Sequence, residues 1–336
     1  MVELIHADSA LNEIGVISDF ICYDSVVALS GEGGSGKEES DWVLEIPDEI
    51  FGKRPVSCGD YVYIENSEWG GPVCRIKHTT SDGVVRIYGI NWREILGQRI
   101  IRPPAGQTHY VFASVDANQF LRNLAGGWMD HIIKISGKNS GLTVGGSARY
   151  KPLLGFTESL LSEKSWRLDV NFYGGKAVVS AFPVRDLAND TELSGEYEAE
   201  ITAVAAHGKY NHILALGQGE MLDRDVAELW LLPDGQITDD PMAPGVPAEA
   251  VRRTLLYDFS AAESPSVLRQ NAERKLLEAA ASDTTEIDLS ADDADVELTD
   301  LVMVRDTLSG QAKRLRVVSK NLRITESGER VTISLR

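Results

Sequence analysis

The chain has 336 residues, 43% of them hydrophobic and 25% charged, with 33 Lys and Arg against 51 Asp and Glu and a formal net charge of −18. That length and balance predict two or three globular domains, each with its own core, and exclude a disordered chain. The acidic excess argues against a duplex-binding protein, which needs clustered Lys and Arg on its phosphate-facing surface, and suits a surface that DNA slides past.

Cys22, Cys58 and Cys74 are an odd set with no C-x-x-C spacing. They predict small apolar fillers rather than a disulfide framework or a zinc site. The first eight residues, Met1 to Asp8, lack the basic and apolar regions of a signal peptide, and no apolar run approaches a membrane span. Synthesis and folding in the cytoplasm are the expectation.

Residues 1–103 read as mostly β. Tyr61-Val62-Tyr63-Ile64 and Val73-Cys74-Arg75-Ile76 are rich in aromatic and β-branched residues, with Gly70-Gly71-Pro72 as the expected turn between them. Val85 and Ile87 predict another strand, and Asn91 to Leu96 a short helix ended by Gly97. Residues 104–190 read as an inserted α+β domain. A helix capped by Ser114 runs to Ala125, Gly137 to Gly146 forms a loop, and Thr157 to Lys164 forms a second helix. A hairpin, Trp166 to Val170 and Ala177 to Ala181, then turns at Gly174-Gly175.

Residues 191–262 return to β, with strands near Tyr197 to Val204, His212 to Leu216 and Val226 to Leu232, then a Pro-rich connector from Pro241 to Pro247. Residues 263–336 begin with a helix. Ser264 is its N-cap and Pro265 its first residue, and Leu268, Ala272, Leu276 and Ala280 make one apolar stripe. The rest of that segment is β.

A weak repeat joins the two ends of the chain at an offset of 240 residues. Asp60-Tyr61-Val62-Tyr63-Ile64-Glu65-Asn66 matches Asp300-Leu301-Val302-Met303-Val304-Arg305-Asp306, and Gly70 matches Gly310. Arg75-Ile76 matches Arg316-Val317 one residue out of register, and a further strand follows each. Val62 and Ile64 share one sheet face, as do Val302 and Val304. Two generic hairpins would also look alike. The sharper reading is two copies of one small β-barrel.

Several motifs tempt toward chemistry. Gly31-Glu32-Gly33-Gly34-Ser35-Gly36-Lys37 fits a phosphate loop, but Glu38 replaces the hydroxyl that would hold Mg²⁺. The strand-like Trp42 to Pro47 follows where a helix N-terminus should face the anion. A flexible loop is the simpler reading. His207 and His212 have no third ligand in reach of the pattern and read as turn and strand histidines. Asp130-His131 is a lone pair of neighbours, and nothing marks out a pair of carboxylates for acid–base work. From Asp283 to Asp300 the chain holds eight acids and no Lys or Arg, whereas the last 36 residues hold eight Lys and Arg and three acids. A solvated face is the plain reading of that acidic run. The sharper one makes Asp292, Asp293 and Asp295 the repulsive lining of a DNA channel, with the acidic and basic stretches serving subunit contacts. No catalytic residue, metal or cofactor is expected.

Tyr210 to Leu216, then Gly217-Gln218-Gly219-Glu220, Arg224 and Ala227-Glu228-Leu229-Trp230, resembles siphovirus tail-hub proteins, the baseplate-hub-like proteins of phages and prophages in Gram-positive hosts. Phe20 to Pro47 is similar to that family's opening strand pair. Tyr88 to Leu96 with Arg99-Ile100-Ile101 is similar to the segment leading into its insert, and Leu301 to Asp306 to its last barrel. The resemblance spans nearly the whole chain. It implies a mainly β fold of two tube-like β-barrel domains with an inserted α+β domain, in a homotrimeric ring around the DNA channel at the virion tail tip. That ring would be assembled in the host bacterial cytoplasm. Implied partners are the distal tail protein, the tape-measure protein and tail-tip or receptor-binding proteins, with no stable nucleic-acid binding. The chain stops at Arg336 after its last expected strand, so no appended peptidase or lysin domain is expected. The alternatives are a tail-tip cell-wall hydrolase, or a carbohydrate- or receptor-binding module presenting Trp69 or Trp128.

Overall fold

Strand formation here follows from alternation. In Cys22–Ala28 and Trp42–Pro47 every second side chain is buried, Tyr23, Ser25 and Val27 in the first and Trp42, Leu44 and Ile46 in the second. A period of two puts those side chains on one face of a sheet. The computed structural model describes residues 3–30, 41–79, 81–125, 127, 130–188, 192–193, 200–204, 210–219, 221–233, 235–259, 264–280, 284–290, 295–305 and 312–336.

The first stretch contains β1 (Leu4–Ala7), β2 (Glu13–Ile17), β3 (Cys22–Ala28), β4 (Trp42–Pro47) and the one-turn helix α1 (Asp48–Phe51). Next come β5 (Tyr61–Tyr63), β6 (Gly70–Thr79), β7 (Val84–Gly89) and α2 (Trp92–Gly97). The middle of the chain forms β8 (Ile100–Ile101), β9 (Tyr110–Asp116), α3 (Ala117–Ala125), β10 (Ile133–Ile135), β11 (Thr143–Ala148), β12 (Lys151–Pro152), α4 (Leu153–Ser162), β13 (Trp166–Tyr173) and β14 (Lys176–Pro183). Then follow β15 (Glu192–Leu193), β16 (Glu200–Val204), β17 (His212–Leu216), β18 (Val226–Leu231), β19 (Ile237–Thr238), β20 (Thr254–Asp258) and α5 (Pro265–Ala280). The last strands are β21 (Thr284–Ser290), β22 (Leu301–Arg305), β23 (Ala312–Thr325) and β24 (Gly328–Leu335).

The chain divides into two compact units. One comprises Met1–Ile201 with Glu286–Leu335, the other Thr202–Thr285. The larger unit is organised by a 13-stranded sheet whose path runs β16-β21-β24-β23-β3-β4-β7-β6-β5-β1-β2, with β22 on β23 and β15 on β22. Within that path the same arrangement occurs twice. The chain-ordered strands β3, β4, β5, β6, β7 lie as β3-β4-β7-β6-β5, and β16, β21, β22, β23, β24 lie as β16-β21-β24-β23-β22. Each set is one five-strand unit with one connectivity, and the antiparallel β23–β3 pair joins them. Both put their inward side chains into a single core, Val62, Val73 and Ile87 from the first and Val302, Val317 and Ile333 from the second, all nearly inaccessible. Each such side chain contributes about 1.5–3 kcal/mol.

A second core lies under the middle segment. The Trp92 ring stacks between Tyr61 at 5.7 Å and Phe172 at 4.4 Å, above Phe120, Leu121, Leu153 and Val179. The smaller unit is a four-stranded sheet, β19-β18-β17-β20, with α5 on one face. Leu268, Ala272 and Leu276 of α5 meet Ile213, Ala215 and Leu229, which is the apolar stripe expected from their spacing.

The mainly β reading and the element types hold, with local corrections. The described strands close neither unit into a barrel, because the path has two open ends, β16 and β2. Gly70 and Gly71 are not a turn but the start of β6. A Cβ on Gly70, whose φ is +110°, would sit 2.3 Å from the Val62 carbonyl oxygen, and one on Gly71 would sit 2.2 Å from the Ile90 oxygen. Glycine is there for close backbone approach. Ser114 lies in β9, and Asp116 caps α3 instead, its Oδ1 accepting the Asn118 amide at 3.0 Å. Thr143 to Gly146, expected in a loop, belong to β11. Cys58 and Cys74 are exposed and Cys22 is half-buried, so they are not core fillers.

Candidate functional site

The repeat is sharpest at two turns that enter β5 and β22. In the first, the Ser57 amide donates to Asp60 Oδ2 at 2.8 Å and the Asp60 amide to the Ser57 carbonyl at 3.1 Å. Gly59 N donates to the Val73 carbonyl at 2.9 Å, and Val73 N to the Asp60 carbonyl at 2.8 Å. In the second, Glu297 N donates to Asp300 Oδ2 at 2.8 Å and Asp300 N to the Glu297 carbonyl at 3.1 Å. Thr299 N donates to the Val317 carbonyl at 2.8 Å, and Val317 N to the Asp300 carbonyl at 2.9 Å. The third turn residue has positive φ in both, +93° at Gly59 and +73° at Thr299. A buried valine precedes each turn, Val56 and Val296, both 3% exposed. The strands that follow slip register at the same place, between Val73 and Arg75 and between Val317 and Ser319. The sequence match extends through atoms that no side-chain pattern displays.

The carboxylates of the two turns are locked differently. Asp60 Oδ2 meets His6 Nε2 at 3.0 Å. Asp300, with a fully buried carboxylate, accepts from Arg167 Nη1 at 2.8 Å and from Arg185 Nη2 and Nε at 2.6 and 3.0 Å. The hydrogen bonds to Asp300 hold the Arg185 guanidinium charged to unusually high pH. A buried carboxylate in low dielectric needs such partners. Arg185 also reaches the Asp295 carbonyl at 3.1 Å and its carboxylate at 3.5 Å.

A second buried cation ties the first repeat to the middle segment. Arg93, on α2, is 3% exposed. Its Nε and Nη2 donate to the two carboxylate oxygens of Glu68 at 2.5 and 3.1 Å, its Nη1 to Glu158 at 3.0 Å, and its Nη2 also to the Leu168 carbonyl at 3.0 Å. Burial pushes the Glu68 carboxyl up while Arg93 opposes it. Burial disfavours the Arg93 charge, but Glu68 and Glu158 outweigh it and raise its pKa. Such a fork fixes geometry more than it stabilises.

Asp295, expected in a channel lining, has a 94% exposed side chain beside Arg185. Asp292, Asp293, His207, Trp128 and the Gly31–Lys37 loop lie outside the described residues. His212 is a buried strand residue with both ring nitrogens engaged, Nδ1 with Thr254 Oγ1 at 2.8 Å and Nε2 with Glu228 at 3.0 Å, and its ring stacks on Trp230 at 5.0 Å. Burial lowers its pKa against the pull of Glu228. Trp69 packs partly buried on the main core beneath Lys320 Nζ, 5.8 Å from its ring centre. Asp130 accepts the Gly127 amide at 3.1 Å in a turn. Of the Gly217-Gln218-Gly219-Glu220 and Arg224 motif, Glu220 lies outside the described residues, and the others lie between β17 and β18. Gly217 N donates to the Asp225 carbonyl at 2.7 Å, Arg224 Nε returns to the Gly217 carbonyl at 3.2 Å, and a Cβ on Gly219 would meet the Asp223 oxygen at 2.3 Å.

Among the described residues no group of three or more His, Cys, Asp or Glu side chains is placed to hold a metal. An open groove between α3 and strands β10 and β14 is lined, among the described residues, by Asp130 with Arg122, Lys134 and Lys176. No helix among the described residues is long and apolar enough to cross a membrane.

Arg93, Arg167 and Arg185 carry the polar architecture, and no sequence motif marks them. The only usable signal was Asp300 in the repeat, since a buried copy of a turn carboxylate demands cations.

No family model and no curated protein matches the sequence. Solved structures do match. A 43 kDa tail protein of prophage MuSo2 from Shewanella oneidensis aligns with TM-score 0.59 at 11% identity, over 99% of this chain and 98% of that one. A tail protein from Neisseria meningitidis MC58 aligns with TM-score 0.56 at 12% identity, over 99% and 95%. Prophage tail protein gp18 from Listeria monocytogenes EGD-e aligns with TM-score 0.51 at 12% identity, over 99% and 94%. Across nearly its whole length the chain has the fold of phage and prophage tail proteins, the group its sequence resembles.

Proposed function

We propose that this chain is a non-enzymatic structural protein of a phage or prophage tail, a baseplate-hub subunit that closes as a homotrimeric ring around the DNA channel at the tail tip. The observation that supports this most is the duplicated five-strand unit with its atom-for-atom turn. Two equivalent units per chain give six in a trimer. Such a ring meets a six-fold tube on one face and a three-fold tip on the other, so the duplication reconciles two symmetries. The two units are then the tube-like domains expected from sequence, and 104–190 is an insertion between them. The distal tail protein, the tape-measure protein and tail-tip or receptor-binding proteins are the partners of the two faces. In this reading Asp292, Asp293 and Asp295 face the channel, where negative charge repels phosphate and lets DNA pass.

Electron microscopy of concentrated protein, with its mass from light scattering, tests the proposal. The expected image is a three-chain ring with six similar lobes and an open centre. A two-fold dimer, or a ring whose lobes alternate between unlike shapes, would sink it. The same map decides the lining separately, because acids on the outer rim would remove it and leave the ring.

A further inference from the structure

We infer that the groove between α3 and strands β10 and β14 takes an extended, acidic peptide segment of a partner protein, laid alongside β10 as an added strand.

β10 ends the three-stranded sheet β10-β14-β13, and among the described residues it has a strand on one side only. It runs parallel to β14, with Ile133 opposite Ala177, Lys134 opposite Val178 and Ile135 opposite Val179. The Ala177 amide donates to the Ile132 carbonyl at 2.8 Å, and the Ser136 amide to the Val179 carbonyl at 2.9 Å. Backbone groups alternate sides along a strand, so Ile132, Lys134 and Ser136 serve β14. The N–H and C=O groups of Ile133 and Ile135 then point the other way, and both residues line the groove. Such an edge is what an extended peptide pairs with.

The groove has the size and the charge for one. Its volume is about 610 Å³, inside the roughly 300–1,000 Å³ of ligand clefts. Ala125, Ile133, Ile135 and Val178 supply apolar lining. Arg122, Lys134 and Lys176 stand around it with one described carboxylate, Asp130, in a chain whose formal charge is −18. Two of those cations are positioned in advance. Lys176 Nζ donates to the Asp130 carbonyl at 2.7 Å. The Arg122 guanidinium donates to the Ser136 carbonyl and, through Nη2, to Gln119 Oε1 at 2.9 Å. Lys134 is exposed. It shares a sheet face with Lys176, because Lys134 stands opposite Val178 and Lys176 lies two residues before Val178. The Asp130 carboxylate is already engaged by the Gly127 amide.

This arrangement sets the pattern of the guest. Its residue opposite Lys134 lies on the Lys134 and Lys176 face and is Asp or Glu. Its neighbours on either side share the face of Ile133 and Ile135 and are apolar. Main-chain bonds give such a complex its affinity and the alternating side chains its specificity. Basic strands are turned away by like charge.

Fluorescence anisotropy of a labelled probe peptide, Gly-Val-Asp-Val-Asp-Val-Gly, with the full-length protein tests this. Saturable binding is expected, weakened by salt. Lys134→Glu with Lys176→Glu should weaken it roughly tenfold or more. The same peptide with lysine for aspartate should not bind, nor should its backbone N-methylated form, which cannot pair. Amide hydrogen exchange at Ile133 and Ile135 should slow in the complex. Binding without that slowing, or equal binding of the N-methylated form, makes the groove a plain anion site and overturns the added strand. Tighter binding of a phosphorylated glycan than of the peptide, again without slowed exchange, overturns it in favour of that ligand. Self-association that Lys134→Glu abolishes would make the guest a second copy and overturn the separate partner. No binding at millimolar peptide overturns the inference outright. The peptide series needs no variant of the protein, and circular dichroism shows whether the charge-reversed chain folds. None of these outcomes bears on the ring.

Discussion

The turn at Ser57–Asp60 and the turn at Glu297–Asp300 share their backbone hydrogen bonds and differ in nearly everything attached to them. The first uses glycine at its positive-φ position and ties its carboxylate to one histidine near the chain start. The second forces a threonine into that conformation and buries its carboxylate between two arginines from the β13–β14 region. The two turns share the hydrogen-bonded frame, because each bond satisfies a group that burial would otherwise orphan. Their side chains differ, because each turn has different neighbours. The first copy packs against β1, and the second against the strand and loop that follow β14.

The strongest way to break this comparison is to remove each carboxylate. Asp300→Ala takes from the largely buried Arg167 side chain its 2.8 Å partner, leaving it Asp169 at 3.8 Å, and leaves Arg185 with Asp295 alone, and should cost about 3 kcal/mol. Asp60→Ala leaves one turn amide and one histidine, and should cost about 1–2 kcal/mol. Urea unfolding of the two variants reads the difference, and equal losses would mean that the arginines find solvent or other partners. A finer test asks whether the two copies share one core. Val62 and Val302 are both fully buried, so Val62→Ala and Val302→Ala should each cost about 2 kcal/mol and shift one common transition. Separate transitions would show two cores. The smallest effect concerns the strained threonine. The Thr299 hydroxyl is buried and finds no partner among the described residues, and its φ is +73°. Thr299→Gly should stabilise by roughly 0.5–1 kcal/mol, relief of strain outweighing the added freedom of the unfolded chain. A lower melting temperature would show that the methyl group packs more than it strains.

How much of this was legible beforehand depends on range. The repeat was visible because Asp60 and Asp300 start matching runs, and Val62/Ile64 and Val302/Val304 alternate alike. The α5 stripe and the Gly174-Gly175 hairpin were visible for the same local reason. Gly70-Gly71 misled, because two glycines that admit a neighbouring backbone look in sequence like two glycines that make a turn. Ser114 misled because Asp116, two residues on, is the better acceptor. Of the Arg93, Arg167 and Arg185 clusters only Asp300 was marked, by the repeat, and the arginines themselves carry no motif. Arg167 and Asp300 lie 133 residues apart, and Arg185 and Asp300 lie 115 apart.

Strand and helix were written in the chain itself, since side-chain period and capping residues act within a few residues of one another, and the recurrence at Asp60 and Asp300 was legible because its two runs can be matched residue by residue. Which strands became neighbours, that β3 of one unit borders β23 of the other, and which arginine neutralises which buried carboxylate were settled only on folding. Those choices depend on shared burial and mutual electrostatics between groups that the linear order keeps far apart.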